Sequence, residues 1–382
     1  MTHDERRRSH PVGRTLMRAV LATMIPLALA SAGCGTAGAG GSVSADRGSG
    51  DVRIMLVGDS ITQGSSGDYT WRYRLWAHLR AGRVPVRFVG PRHELWDDAR
   101  SSALGFVFSD QYADPAFGSD SAANAHDALV GIHASAVSPG IGAVVREYRP
   151  AYLIVLLGIN DLASGAEPAQ VAASMRQLVL NARAAAPDVR FDLVQALPAA
   201  PVPPAKVTAN GALVGELAAQ LSTRRSPIAV TAAPAGYTAS ATACADTWDG
   251  THPNAAGELK IASAVADTLH SAFGLGPAYP RPLPQVPAGP QPPPRLTAHA
   301  SGRTVRLQWT ASAGATAYWV WRHAPGEAWS RLPLPLNAFT RSFTDGGWLS
   351  TLRTGNPYQY RIEANKGVCG SESNTVTVIP DR

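Results

Sequence analysis

Apolar strand-like runs alternate with helix-like segments from residue 52 to residue 275, and no other feature constrains the fold of this 382-residue chain as strongly. The runs are RIMLV, VRFVG, AYLIVLLG, VRFDLVQAL and PIAVTA. Runs that are apolar throughout are typical of parallel sheets, because helices cover both faces of such a sheet. The alternation therefore predicts an α/β domain in three layers, an α/β/α sandwich with a parallel sheet.

The segments between these runs have helical periodicity. A helix over YTWRYRLWAHLR would carry on one face the apolar side chains of Trp71, Leu75, Trp76 and Leu79. EPAQVAASMRQLVLNARAAA places Pro168 near its first turn, where a helix tolerates proline. Further helices are predicted from about residue 204 to residue 223 and over PNAAGELKIASAVADTLHSAF.

The period of the pattern changes after a proline-rich stretch. Residues 276–294 have the composition of a stiff, extended linker. From residue 295 to residue 382, the short alternating segments TVRLQW, AYWVWR, FTRSFT, YQYRIEA and NTVTVI predict a small all-β sandwich. In AYWVWR, Tyr318 and Val320 share one face, so Trp319 and Trp321 should face outward. We expect this tryptophan pair either to stack on sugar rings or to dock against the α/β domain.

The first 34 residues are typical of a signal peptide. Basic residues through Arg18 precede the apolar run AVLATMIPLALA and the small residues SAGC. Cleavage after Ala30 would release a secreted protein, whereas the SAGC ending resembles a bacterial lipobox with Cys34 as the lipidated residue. Both alternatives predict an extracellular location, secreted or lipid-anchored on the outer face of the membrane. Residues 35–51 have the composition of a flexible tether.

Charge and cysteine content add two expectations. The formal net charge is only +6, and no basic stripe with interleaved aromatic residues is present, so we expect no nucleic-acid partner. The chain has 3 cysteines. If Cys34 carries lipid, Cys244 and Cys369 remain to form a disulfide between the two halves of the chain, and two unpaired thiols are the alternative.

Three short polar motifs lie at the ends of predicted elements. Gly58-Asp59-Ser60 follows the strand RIMLV, Gly158-Ile159-Asn160-Asp161 follows AYLIVLL, and Asp249-Gly250-Thr251-His252 precedes the last helix. The carboxyl ends of parallel strands form the ligand crevice of an open α/β sheet, so the first two motifs should meet there. The connection into the last helix can bring the third motif to the same edge.

The chemistry of these residue types fits ester cleavage. A serine hydroxyl becomes a strong nucleophile when a base within hydrogen-bond reach removes its proton, and His252 can do this for Ser60. Asp249, three residues before the histidine, can accept the imidazole Nδ1–H and stabilise the imidazolium. Each motif alone would also fit a turn or a helix cap, but their combination favours a Ser-His-Asp catalytic site.

The oxyanion that forms on the attacked carbonyl needs preorganised hydrogen-bond donors. The candidates are the backbone N–H of Ser60, the side-chain amide of Asn160 and the backbone N–H of Gly131 in HDALVGIHAS. The G-x-S-x-G elbow of α/β-hydrolases is absent around Ser60, and no cluster has the spacing of metal ligands. We therefore expect neither a metal ion nor a cofactor.

Together, VGDSITQG, GIND and DGTHPN resemble the SGNH (GDSL-type) hydrolase family over residues 52–275. This resemblance implies Ser60 as the nucleophile, Asp249 and His252 as its partners, and an oxyanion hole formed by Ser60, Gly131 and Asn160. The block HDALVGIHAS departs from the family pattern, which implies a glycine near residues 125–132, so Gly140 and Gly118 are alternatives to Gly131. The opening, DVRIMLVGDSITQG followed by TWRYRLWAHL and VRFVG, is most similar to the acetylxylan-esterase-like branch, which implies acetylated polysaccharide as the substrate.

The C-terminal segment resembles a fibronectin type III module over its whole length. Trp309 matches the early core tryptophan, and Leu352, Gly355 and Tyr358 match the approach to the tyrosine corner. Tyr358, Tyr360 and Ile362 should alternate inward.

Three functions remain open from the sequence. We expect an exported serine esterase that hydrolyses small acyl esters, acetyl above all, on carbohydrate. The first alternative is a lipase or aryl esterase for longer acyl chains, and the second is a non-catalytic glycan-binding or adhesion protein. The aromatic residues near the motifs, Tyr69, Trp71 and Trp248, either narrow the acyl pocket or fill the core.

Overall fold

The computed structural model describes residues 50–102, 104–346 and 352–381. The predicted signal peptide with Cys34, and the tether as far as residue 49, lie outside the described residues. From Asp51 onward the chain forms one compact unit. None of the helices in the described ranges combines the length and the apolar character that a membrane-spanning segment needs.

The first part of this unit alternates strands with helices, as the apolar pattern predicts. Its strands are β1 (Val52–Gly58), β2 (Val86–Phe88), β3 (Leu95–Trp96), β4 (Phe108–Ser109), β5 (Asp127–Ala128), β6 (Tyr152–Leu156), β7 (Arg190–Val194) and β8 (Ile228–Thr231). Its helices are α1 (Ser60–Gln63), α2 (Thr70–Ala81), α3 (Pro115–Ser119), α4 (Ser121–Asn124), α5 (Ala134–Val137), α6 (Ile141–Tyr148), α7 (Ile159–Ala163), α8 (Pro168–Ala185), α9 (Pro204–Leu221) and α10 (Ala255–Phe273).

The central sheet is parallel, with the strand order β2-β1-β6-β7-β8, and β5 pairs with the carboxyl end of β1. Helices α2 and α10 cover one face, and α6, α8 and α9 cover the other. The three-layer α/β/α prediction is confirmed, with each of the five predicted strands and four predicted helices in place. The short strands β3, β4 and β5 were not predicted, because they lie in the irregular stretch between residues 91 and 128.

Arg72 is a buried cation at the centre of the domain. Its guanidinium donates to the carbonyl oxygens of Thr62 (2.7 Å), Gln63 (3.0 Å) and Asn124 (2.7 Å) and to the hydroxyl of Tyr112 (2.8 Å). These contacts tie α2 to the end of α1, directly behind the β1–α1 corner, and to the end of α4. Because a buried charge is stable only when its hydrogen-bonding capacity is used, this network fixes three segments against one another.

Replacement of Arg72 tests this network. Arg72→Ala would leave three backbone carbonyls without their donor, so we expect it to lower the free energy of unfolding by about 3 kcal/mol or more. Arg80→Ala, on an exposed position of the same helix, should change it by no more than about 0.5 kcal/mol. Urea unfolding measures both, and equal effects of the two substitutions would contradict the assignment.

The second part of the unit is a β-sandwich. Its strands are β9 (Leu296–Ser301), β10 (Thr304–Trp309), β11 (Ala317–His323), β12 (Ser330–Arg331), β13 (Leu336–Asn337), β14 (Ser342–Gly346), β15 (Tyr358–Lys366), β16 (Cys369–Glu372) and β17 (Val376–Val378). One sheet has the order β14-β10-β9, and the other has β12-β11-β15-β16 with β13 beside β11 and β17 beside β15.

The core of the sandwich agrees with its resemblance to a fibronectin type III module. Trp309 and Leu352 are buried, and Tyr358, Tyr360 and Ile362 alternate inward along β15. The hydroxyl of Tyr358 accepts a hydrogen bond from the backbone N–H of Arg353 (2.9 Å), which closes a tyrosine corner. Tyr318 and Val320 face this core, so Trp319 and Trp321 lie on the outer face of the sheet.

The proline-rich stretch between the two parts packs against the α/β part. The ring of Tyr279 stacks on His78 of α2 with centroids 4.3 Å apart, and the Tyr279 N–H donates to the carboxylate of Asp267 on α10 (2.7 Å). A disulfide between Cys244 and Cys369 joins the α/β part to the sandwich. The two parts are therefore in direct contact, and of the two alternatives for Cys244 and Cys369 the disulfide is confirmed.

Candidate active site

The β1–α1 corner presents Ser60 at the carboxyl edge of the sheet. A Cβ at Gly58 would lie 2.2 Å from Thr62 Oγ1 and 2.9 Å from the carbonyl oxygen of Leu156 on β6, so only glycine fits where β1 turns into α1. Asp59 caps α1, because its Oδ1 accepts the N–H of Ile61 (2.9 Å). Asp59 thus has the capping role that its residue type allows, and the cap places Ser60 at the start of the helix.

Ser60, His252 and Asp249 form a continuous chain of hydrogen bonds. Ser60 Oγ lies 2.8 Å from His252 Nε2, and His252 Nδ1 lies 2.7 Å from Asp249 Oδ2. The other carboxylate oxygen of Asp249 accepts the backbone N–H groups of Thr251 (2.9 Å) and His252 (2.8 Å). This network assigns Nδ1–H as the donor to Asp249 and leaves Nε2 free to accept the serine proton. The structure therefore brings together the three residues that the motifs singled out.

In this chain of hydrogen bonds, charge interactions shift the pKa values of Asp249 and His252 in the direction opposite to the effect of burial. Burial alone would raise the pKa of Asp249, but the attraction of His252 and the hydrogen bonds that the carboxylate accepts lower it below its ordinary value. Burial alone would lower the pKa of His252, but the charge and hydrogen bond of Asp249 raise it above its ordinary value, with help from Asp59 and Asp98. Asp249 is therefore ionised and suited to stabilise an imidazolium.

Two further carboxyl groups face His252. Burial raises the pKa of Asp59 to about 7. Burial, together with the neighbouring charge of Asp97, raises the pKa of Asp98 to about 7 as well. Asp98 Oδ1 is buried and has no hydrogen-bond partner in the part of the chain that the structure describes. The sequence motifs did not single out Asp98, which follows β3 in a stretch without periodicity.

Two tryptophans flank the His252 imidazole. The Trp248 ring stacks on it with centroids 5.2 Å apart and an interplanar angle of 21°, and the Trp96 ring lies at 5.3 Å and 49°. Trp248 and Trp71 are buried, and Trp96 is half-buried. Ser60, His252, Trp71, Trp248 and their neighbours line a small space of about 10 Å³. Trp96 was missed by the sequence analysis for the same reason as Asp98.

The loop after β5 forms another wall of the site. In this loop the N–H of Leu129 donates to the Gly58 carbonyl (3.2 Å), and the N–H of Val130 donates to Gln63 Oε1 (2.8 Å). Gly131 follows with a φ of +74°, and its N–H, like that of Ser60, has no hydrogen-bond acceptor among the described residues. Both groups are therefore available to an incoming oxyanion.

Asn160 lies against the same loop, because its side-chain amide donates to the carbonyl of Ile132 (3.0 Å). Asp161 holds the next turn by accepting the N–H of Ala134 (2.9 Å). The N–H groups of the two alternative glycines are already used: Gly118 donates to Asp114 (3.0 Å) and Gly140 to Val137 (3.1 Å). The geometry thus favours Gly131 over Gly118 and Gly140 as the backbone donor.

Residues 56–259 match the sequence model of the GDSL-like Lipase/Acylhydrolase family, and this match covers more than half of the chain. The chain belongs to this family. As a GDSL-like acylhydrolase with the hydrogen-bonded Ser60–His252–Asp249 chain, it is a serine hydrolase of ester bonds. A search of curated proteins found no match.

Solved structures similar to this acylhydrolase include a mutant acetyl esterase with acetate ion, at 22% identity and a TM-score of 0.47, over 58% of this chain and 98% of the other. A carbohydrate esterase family 3 protein from Talaromyces cellulolyticus gives 22% identity and a TM-score of 0.45 over the same shares. The fn3 domain of human collagen alpha-1(XX) chain gives 26% identity and a TM-score of 0.21, over 26% of this chain and 91% of the other.

The charge of Asp98 makes a testable contribution to the site. His252 accepts the serine proton only when neutral, so activity falls as pH drops through its pKa. The Asp98 carboxylate raises that pKa, so Asp98→Asn should lower it and move the acidic limb of the kcat/KM profile to lower pH. Asp188→Asn, at an exposed ion pair with Arg225, should leave the limb in place. A shift to higher pH in Asp98→Asn would contradict this electrostatic role.

Proposed function

We propose that this acylhydrolase is an exported esterase that removes small acyl groups, acetyl above all, from carbohydrate. The observation that carries the proposal is the Ser60–His252–Asp249 hydrogen-bond chain, which lies next to the buried indoles of Trp71 and Trp248. In this proposal Ser60 is the nucleophile, His252 the general base and acid, and Asp249 the group that orients and stabilises the imidazolium.

The reaction follows from these contacts. His252 Nε2 takes the proton of Ser60 as Oγ attacks the ester carbonyl, and the negative charge that forms on the carbonyl oxygen is met by the N–H groups of Ser60 and Gly131 and by the Asn160 amide. His252 then protonates the leaving alcohol, which leaves an acyl group on Ser60. Water, deprotonated by the same imidazole, attacks the acyl-enzyme, releases the carboxylic acid and restores the serine.

The preference for a small acyl group is supported by the walls around Ser60. Trp71 and Trp248 are both buried and lie close to Ser60, and a long acyl chain directed toward them would have to displace a packed indole. This packing supports acetyl over the lipase alternative, and the similarity of the opening segment to the acetylxylan-esterase-like branch agrees with it.

A carbohydrate alcohol is supported by the residues on the other side of His252. Trp96 presents a half-buried indole next to the imidazole. An amphipathic sugar ring can cover the exposed part of this indole with its C–H face. The non-catalytic alternative is disfavoured, because a binding protein has no need for a serine and a histidine held at 2.8 Å.

Export is supported by the Cys244–Cys369 disulfide, since such bonds persist mainly in oxidising compartments. It agrees with the signal-peptide pattern of residues 1–34. In the proposal Cys34 carries the lipid when the lipobox is used, and the protein is freely secreted when cleavage follows Ala30.

Hydrolysis of 4-nitrophenyl esters from acetyl to octanoyl, by the wild type and by Ser60→Ala, tests the proposal. We expect Ser60→Ala to lose activity by at least about 10³-fold, and wild-type kcat/KM to fall steeply beyond acetyl. Acetylated xylan should then release acetate in a Ser60-dependent way. Activity that rises with acyl length would replace the proposal with the lipase alternative, and activity equal in both proteins would remove Ser60 as the nucleophile.

The proposed oxyanion donor on Asn160 has its own test. Asn160→Ala should lower kcat by about 10²–10³-fold with a small effect on KM, because the donor acts mainly on the transition state. Asn181→Ala is the matched control, since the Asn181 amide also donates to a backbone carbonyl, that of Ser138 (2.7 Å), away from the site. Similar kcat values for the two variants would argue against Asn160 as an oxyanion donor.

A further inference from the structure

We propose that the β-sandwich is part of the catalytic apparatus: its β15–β16 turn, Lys366–Cys369, positions Trp248 and, through Trp248, holds His252 in place. This inference rests on the proposed catalytic role of His252. It assigns Trp248 and the turn as positioning elements, which act on the reacting atoms only through the histidine.

The turn contacts Trp248 directly. The backbone N–H of Val368 donates to the Trp248 carbonyl oxygen (2.7 Å), next to the point where Cys369 is linked to Cys244. At Gly367 the two chains are so close that a Cβ would lie 1.9 Å from the Trp248 carbonyl oxygen and 2.7 Å from its ring. The turn therefore meets the backbone of Trp248 at van der Waals contact, with no room for movement toward it.

Trp248 in turn contacts His252. Its backbone N–H donates to the carbonyl oxygen of His252 (3.0 Å), and its indole stacks on the imidazole at 5.2 Å. The Asn254 side chain also holds this loop, because it donates to the carbonyl of Ala245 (2.8 Å) and contacts Cys369 Sγ (3.5 Å). The segment from 244 to 254, which carries both Asp249 and His252, is thus held between the sandwich and the start of α10.

Buried charges hold the turn in this position. Lys366 is 1% exposed and forms an ion pair with Asp68 and a longer one, at 3.7 Å, with Glu258 of α10. Glu258 also pairs with Arg74 (2.9 Å) and accepts the backbone N–H of Thr70 (3.1 Å). Removing one member of such a network leaves uncompensated buried charge, so the sandwich cannot leave this surface without a large cost.

The outer tryptophans of the sandwich do not provide this contact. The guanidinium of Arg331 lies 3.8 Å from the ring centroid of Trp319, and that of Arg361 lies 5.2 Å from the ring centroid of Trp321. These rings are covered by side chains of their own sheet. The sandwich also meets the α/β part at Gly67, whose carbonyl oxygen accepts the N–H of Gly314 (3.2 Å), but it is the turn that contacts the segment next to Asp249.

A pair of glycine substitutions tests the role of the turn. Gly367 has a φ of +58° and Gly302, in the β9–β10 turn, a φ of +56°, so alanine strains both turns equally. A Cβ at Gly302 meets nothing within 4 Å, whereas at Gly367 it collides with Trp248. We expect Gly367→Ala to lower kcat for 4-nitrophenyl acetate by roughly 10- to 100-fold with KM unchanged, and Gly302→Ala to keep the wild-type kcat.

The double variant Cys244→Ser with Cys369→Ser releases the same loop without inserting an atom next to Trp248, in case Gly367→Ala fails to fold. Burial lowers the pKa of His252, so a loosened Trp248 cover should raise it and move the acidic limb of the kcat/KM profile to higher pH. The three carboxyl groups that face the imidazole, on Asp249, Asp59 and Asp98, are unchanged in every variant. Thermal unfolding checks that the variants are folded.

NMR titration of the His252 imidazole, assigned by comparison with His252→Ala, gives a reading that needs no turnover. If the wild type lacks Ser60-dependent activity, the proposed function fails, and the titration still reports whether the turn covers His252. A higher imidazole pKa in Gly367→Ala or the cysteine variant than in Gly302→Ala supports the inference. Wild-type kcat and an unchanged His252 titration in the folded cysteine variant would overturn it.

Discussion

The hydrogen bond between Ser60 and His252 joins side chains 192 residues apart in sequence, and most of the structure serves to fix its two ends. The serine end depends on β1, which lies inside the parallel sheet and turns into α1 where Gly58 packs against β6. The histidine end depends on α10, which packs against α2 over the same face of the sheet. Arg72 of α2 holds the carbonyls of α1, so one helix supports both ends.

The sequence alone was sufficient to predict the strands and helices that have a regular hydrophobic pattern, and the motifs at their ends. Uniformly apolar runs predict parallel strands, and parallel strands bring their carboxyl ends to one edge, so Ser60, Asn160 and His252 could be placed together without coordinates. Trp96, Asp98 and the contacts of Arg72 with Tyr112 and Asn124 could not be predicted. They depend on the stretch after β2, where the chain has no regular period and its path is decided by distant side chains.

The contact between the α/β part and the sandwich was harder to predict from the sequence, for a different reason. The change of period predicts a separate sandwich, and the proline content predicts a spacer. Docking is decided instead by a few residues without any pattern. Gly67 leaves space for the carbonyl of Ala315, which a Cβ would approach to 2.1 Å, and Lys366 reaches Asp68 in the α/β part. A small residue and a single charge are common on any surface, so their pairing is visible only when both surfaces are known.

The pKa of His252 is set by opposing effects. Burial by Trp248 and its neighbours favours the neutral imidazole, while the carboxyl groups of Asp249, Asp59 and Asp98 favour the charged one. Asp59 and Asp98 themselves have pKa values of about 7, so they change charge in the same pH range in which the histidine must work. The pKa of His252 is therefore sensitive to small movements of the residues that surround the imidazole. Some of these residues lie in the loop after β3, and Trp248 is held by the turn of the sandwich. The pH range in which the enzyme works thus depends on segments outside the catalytic motifs.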